Sequence, residues 1–253
     1  MYRFHQTKST MVYVALYIAL VLFSSIPSDK GNSNGRLWND YLSERLDVKL
    51  DNFAFSGATV DNQVVPRSAP SVKEQAQKFY KSQVADTVSY NEGRLFAIWI
   101  GINDNYDLFF SGAAPSKQNE ASLYQHGARH FFIPNVPPVE ALPLASDRVK
   151  GYPAIIQSPK LREYVIRYNT LLEKSIQGLA SQFPDANVQL FDVHSLFDQF
   201  IQSPEKFGFS NVKNPCQNNF AKCAEPDKYL FWDKVHPTTY AHRLIADAFY
   251  NAL

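Results

Sequence analysis

The sequence predicts an α/β protein: one domain built on a parallel sheet with helices on both faces. Three observations carry that expectation. Short apolar runs of strand length, at residues 50–55, 95–100, 130–134 and 188–193, alternate with stretches of helical spacing. Hairpin signals between the runs are few, so neighbouring strands are expected to be joined by crossovers and to lie parallel. With 253 residues, 45% of them apolar, the chain can fill one large core, and no repeat, low-complexity tract or linker divides it.

Residues 1–10 carry Arg3 and Lys8, and residues 11–23 are almost wholly apolar. Two readings compete there. The pattern has the look of a signal peptide and is short for a membrane span, which needs about 20 residues. Alternatively, Ala19-Leu20-Val21-Leu22-Phe23 is the first buried parallel strand. Residues 1–26 are therefore set apart from a domain at 27–253. After a polar loop, Leu37, Trp38, Tyr41, Leu42 and Leu46 fall on one helical face. The run 50–55 ends in Ser56-Gly57-Ala58-Thr59, a turn of small residues at the end of a strand, where α/β proteins place their sites.

Ser71-Val72-Lys73-Glu74 has the capping-box pattern and opens a helix to about Val84. The run 95–100 leads straight into Gly101-Ile102-Asn103-Asp104. Beyond the fourth strand lies a proline-rich loop, residues 134–138. Leu161, Tyr164, Val165, Tyr168, Leu171, Leu172, Ile176 and Leu179 then mark a long amphipathic helix. Residues 188–193 supply the fifth strand. Ala241, Leu244, Ile245, Ala248, Phe249 and Ala252 keep helical spacing behind Pro237, read as a first-turn residue.

Charge excludes some functions. Twenty-five basic and 24 acidic residues give a formal net charge of +1 with no long run of either sign. That argues against a nucleic-acid partner and for a neutral or locally read ligand. An aromatic content of 14% suits a sugar-facing or acyl-facing groove, although most of these rings belong in the core. Cys216 and Cys223 lie in a polar loop with no histidine or third cysteine at ligand spacing. A disulfide in an oxidising compartment is the better expectation; two free thiols are the alternative, and zinc is disfavoured.

Chemistry concentrates at Asp233-Lys234-Val235-His236-Pro237. An acid three residues before a histidine can set a carboxylate beside the imidazole, fix its tautomer, and leave the other ring nitrogen to take a proton from a nucleophile. Alone, the pattern is weak and better describes a surface acid near a capping histidine. Gly57 alone is a turn residue, and Asn103 alone a helix cap. Three such turns in this order at the carboxyl edge of one sheet say more.

Together they resemble the SGNH (GDSL) hydrolases, above all the fungal GDSL lipases and acetylesterases. The resemblance covers roughly residues 35–253 and implies the three-layer, flavodoxin-like, five-stranded fold of that family. Asn52-Phe53-Ala54-Phe55-Ser56-Gly57-Ala58-Thr59-Val60-Asp61 is similar to the second block, so Gly57 would offer its backbone N–H to an oxyanion. Gly101-Ile102-Asn103-Asp104 is similar to the third, and Asn103 would offer its side-chain amide to the same oxygen. Asp233 and His236 match the last block as orienter and base. Ester hydrolysis of small acyl or acetyl groups, carbohydrate esters among them, is the implied activity. It comes with no cofactor, no metal, no stable membrane insertion, a monomeric state and a secreted location.

The first block departs from the pattern. The closest ungapped match, Leu22-Phe23-Ser24-Ser25-Ile26-Pro27-Ser28-Asp29-Lys30-Gly31-Asn32, puts Ile26 where the family carries its nucleophilic serine. Ser25 and Ser28 are the nearest substitutes. The segment from Ser111 to about Ala128 is also shorter than is usual in the family. Coding sequence lost at both points would account for this. So would a catalytically inactive relative that binds carbohydrate or an acyl ligand.

Overall fold

The computed structural model describes residues 32–82, 94–111, 128–146, 159–218 and 221–253. The expected strand at 19–23, together with Ser25, Ile26 and Ser28, lies outside the described residues, as does most of the short segment after Ser111.

Three parallel strands form the described sheet: β1 (Leu95–Ala97), β2 (His130–Pro134) and β3 (Asn187–Phe191), in the order β1-β2-β3. Phe96 pairs with Phe131, and Phe131 with Val188. Successive side chains of a strand point to opposite faces. Phe131, Phe132 and Ile133 are nevertheless all buried, at 5, 0 and 2% exposure, so both faces of the sheet are covered. Parallel strands covered on both sides read as the continuous apolar runs seen in the sequence.

One expected strand is absent. Residues 50–55 run irregularly, because the Asn52 side-chain oxygen accepts from the Ala54 N–H at 3.0 Å and takes that donor from any ladder. The β1 strand is also shorter than the apolar run that marks it, although the Ile98 N–H still reaches the Phe132 carbonyl at 2.9 Å.

The helices are α1 (Trp38–Leu46), α2 (Val72–Ser82), α3 (Ile102–Ser111), the short α4 (Pro143–Ser146), α5 (Pro159–Gln182), α6 (Val193–Gln202) and α7 (Thr239–Ala252). Ser71 and Glu74 form the expected capping box: the Ser71 N–H donates to the Glu74 carboxylate at 2.7 Å and the Glu74 N–H to the Ser71 hydroxyl at 3.4 Å. Pro237 is not a first-turn residue. It pairs with Phe231 in a β-bridge, and Thr238 caps α7 by accepting from the Ala241 N–H. The α6 helix, with Val193, His194, Phe197 and Phe200 buried, is an element the sequence pattern does not predict.

A cluster of rings joins α1 and α7 to the sheet. The Phe249 ring meets Trp38, Trp99, Phe132 and Phe191 edge-on, with centroids 5.1, 5.7, 5.0 and 4.8 Å away. Edge-to-face contact suits the ring quadrupoles, and each pair adds to the stabilisation from burial. Phe249 is wholly buried. Phe249→Ala is expected to cost about 3–5 kcal/mol, read as a fall in the denaturation midpoint with an unchanged slope.

Candidate active site

The last block is built around one carboxylate. Asp233 Oδ1 accepts from the backbone N–H groups of Val235 and His236 at 2.8 and 2.7 Å and closes the turn. Its Oδ2 lies 2.6 Å from His236 Nδ1. The acid therefore sets both the backbone of the turn and the plane of the imidazole, and it assigns the proton to Nδ1. Burial pushes the Asp233 carboxyl up, but the His236 ring and the two N–H groups outweigh it and hold the group below the usual carboxylate range. It is ionised at neutral pH.

The turn is fixed at its base. The Trp232 N–H donates to the His236 carbonyl at 2.7 Å, and the Cys216 and Gln217 N–H groups donate to the Phe231 and Trp232 carbonyls at 2.9 and 2.6 Å. Cys216 is disulfide-bonded to Cys223, as expected, across the hairpin β4 (Gln217–Asn218) and β5 (Ala221–Lys222). Six residues past the base, His242 is fully buried; burial first, and the charge on His236 second, push its pKa down to about 3. It therefore adds no positive charge behind His236.

The second and third blocks are tied to each other. Gly57 has φ +82°, a backbone region that glycine enters without strain, and its N–H makes no hydrogen bond among the described residues. Asn103 lies in the first turn of α3, not at its cap, and its side-chain nitrogen donates to the Ala58 carbonyl at 3.0 Å. A carboxamide nitrogen carries two hydrogens, so one bond to Ala58 leaves a second for another acceptor. Gly101, just before α3, has φ +110°, and a Cβ there would stand 2.5 Å from the Tyr168 hydroxyl. Only glycine fits.

A strap, residues 32–36, joins these turns to the His236 turn. Asn32 donates to Ser56 Oγ at 2.7 Å, beside Gly57, and Ser33 Oγ donates to the Pro237 carbonyl at 2.9 Å, beside His236. Asn34 accepts from the Thr239 N–H at 2.8 Å. Adjacent Cα atoms are 3.8 Å apart, so the Cα atoms of Ser56 and Pro237, the neighbours of Gly57 and His236, are held within roughly 20 Å of each other even with both side chains extended. Bonds through the neighbours of Gly57 and His236 thus link the second, third and last blocks. Among the described residues, no group of three or more His, Cys, Asp or Glu side chains could hold a metal ion.

Sequence reading missed Asp104. Its Oδ1 accepts from the Val60 N–H at 3.0 Å, while Oδ2 is sealed from solvent without a hydrogen-bond partner among the described residues. Burial raises its pKa to about 6, against the N–H bonds and the Arg67 charge that lower it. A group whose folded pKa is raised contributes stability that is fully present below the unfolded value of 3.8 and lost as the pH rises through about 6. Asp104→Asn should match the wild type near pH 4 and gain on it above pH 6, by roughly 3 kcal/mol at most, in denaturation midpoints measured across that range.

The chain matches the GDSL-like lipase/acylhydrolase family over residues 22–249. It is 28% identical to the thermolabile hemolysin of Vibrio parahaemolyticus, with 85% of the chain aligned to 54% of that protein. It is 26% identical to a GDSL esterase/lipase of Arabidopsis thaliana, over 87% of the chain and 78% of the relative. It is likewise 26% identical to an acetylesterase of Thermothelomyces thermophilus, over 87% and 75%. Among solved structures, a catalytic mutant of an acetylxylan esterase from Geobacillus stearothermophilus superposes with a TM-score of 0.52 at 15% identity, over 97% of this chain and 96% of that one. A lipolytic G-D-S-L family protein from Veillonella parvula gives 0.51 at 12%, over 95% and 97%. At these identities the two structures speak for the fold alone.

Proposed function

The chain belongs to the GDSL-like lipase/acylhydrolase family, and we propose that it hydrolyses small acyl esters, acetylated carbohydrates among them, through a serine ester intermediate. The observation that carries this reading is the 2.6 Å contact between Asp233 Oδ2 and His236 Nδ1 in a turn whose backbone the same carboxylate closes. An imidazole held this way has one nitrogen committed and presents Nε2 as the base.

In the proposed reaction, His236 Nε2 takes the proton from a serine hydroxyl as its oxygen bonds to the ester carbonyl carbon. The carbonyl becomes an oxyanion that accepts from the Gly57 N–H and the second amide hydrogen of Asn103. Collapse breaks the bond to the alcohol, which leaves with the proton held by His236. Water then repeats the sequence on the acyl-serine and releases the acid. Asp233 stays ionised throughout and stabilises the imidazolium.

Ile26 has no nucleophilic atom, so the serine is assigned to Ser25 or Ser28. The family match begins at residue 22 and so takes in this block. Acetyl esters are favoured by the acetylesterase relative. The hydrolase domain is taken as residues 27–253, acting as a monomer, and Ser25 belongs to the segment that precedes it. The Cys216–Cys223 disulfide fits an extracellular location, with residues 1–26 read as a signal-peptide-like or first-strand segment. No helix among the described residues is long and apolar enough to cross a membrane.

Hydrolysis of p-nitrophenyl acetate tests the reading. Turnover should fall by about 10³-fold or more in His236→Ala. It should fall by about 10²–10³-fold in Asn103→Ala. It should be abolished by only one of Ser25→Ala and Ser28→Ala. Background rates in the wild type and all variants would instead identify a relative that binds its ligand without turnover.

A further inference from the structure

We propose that Arg67 and Asp107 are positioning residues for the oxyanion hole, acting through the loop that carries Gly57 and the helix that carries Asn103. The inference rests on the ester-hydrolase reading above.

The two donors come from separate segments. Gly57 sits on the irregular chain between α1 and α2, Asn103 on the first turn of α3. An oxyanion is stabilised only if both donors stay within a few tenths of an ångström of their productive places. Three ties run between the segments, and they form a ladder. The Asn103 amide meets the Ala58 carbonyl at 3.0 Å, the Asp104 carboxylate meets the Val60 N–H at 3.0 Å, and the Asp107 carboxylate meets the Arg67 guanidinium. That last rung is two-pointed, with Nε to Oδ2 at 2.7 Å and Nη2 to Oδ1 at 2.8 Å.

The rungs differ in what they can hold. The first two are single hydrogen bonds next to the hole, about which the loop could still pivot. A planar fork on a carboxylate fixes direction as well as distance. Asp107 is four residues after Asn103, and therefore one turn along the same face of α3. Gripping Asp107 sets the loop against the face that presents Asn103.

The loop is stiff enough to pass that constraint to Gly57. Asn62 Nδ2 donates to the Ala69 carbonyl at 2.9 Å, and Asn62 Oδ1 accepts from the Arg67 N–H at 3.2 Å. Lys73 Nζ reaches Asp61 at 3.0 Å. The Arg67 and Asp107 side chains are 29 and 34% exposed, so solvent screens the pair and its share of global stability is modest. Placement of the loop is what this pair can alter without unfolding the chain.

The test measures kcat and KM on p-nitrophenyl acetate, with melting temperature alongside, for the wild type, Arg67→Ala, Arg67→Lys and Asp107→Asn. Arg67→Ala and Asp107→Asn should each lower kcat by about 10- to 100-fold, with KM changed less than about twofold and the melting temperature nearly unmoved. Arg67→Lys keeps the charge but not the fork, so its kcat should lie between those of Arg67→Ala and the wild type. An active wild type whose kcat survives in Arg67→Ala overturns the inference and leaves the functional reading standing. It is equally overturned if Arg67→Lys matches the wild type, or if kcat falls only in step with the melting temperature. A wild type without turnover overturns the functional reading, and this inference with it.

Discussion

The carboxylate of Asp233 is shared between a backbone turn and a side chain, and the candidate site depends on that sharing. One oxygen gathers two N–H groups and so determines where residue 236 points; the other meets the ring that emerges there at 2.6 Å. Because one rigid group makes both sets of bonds, any drift of the turn also strains the contact to the imidazole. The hairpin bridged by Cys216 and Cys223 backs the arrangement by holding the Phe231 and Trp232 carbonyls just upstream of the acid. A local sequence motif becomes an oriented imidazole only because non-local chain holds the foot of the turn.

The other half of the site is assembled by side chains that reach across segments. Asn103, Asp104 and Asp107 rise from one helix to meet the loop at Ala58, Val60 and Arg67, and Asn32 and Ser33 join that loop to the turn after His236. Polar groups used this way are costly to bury unless they are paired. Asp104 shows the cost, with one oxygen bonded and the other sealed without a partner among the described residues. His242 shows another response to burial, staying neutral rather than carrying a charge out of water. Both departures lie within a few residues of the candidate site, where local compromise is expected.

Membership of the GDSL-like family and the fold class were both legible in the chain. Apolar runs of strand length and the Ser71–Glu74 capping box announced their elements because each depends on side chains close in sequence. The run at 50–55 misled, since burial against the core and participation in a ladder call for similar residues, and Asn52 diverted the backbone. The Pro237 position was off for a related reason: proline also suits the bridge to Phe231, and Thr238 took the cap. The α6 helix was passed over although its apolar residues were in plain view.

By itself the sequence determined which groups are present for the chemistry: an acid and a histidine at a spacing a single turn can close, a glycine, and an asparagine after a strand. Tertiary structure alone decided that Asn103 turns toward Ala58, that Asp104 loses its solvent, and that Arg67 finds Asp107 forty residues away. The physical reason is range. A capping box or an Asp-x-x-His turn is satisfied within a few residues and leaves a local mark, whereas a bond between distant segments imposes no spacing on either and becomes visible only when the fold brings them together.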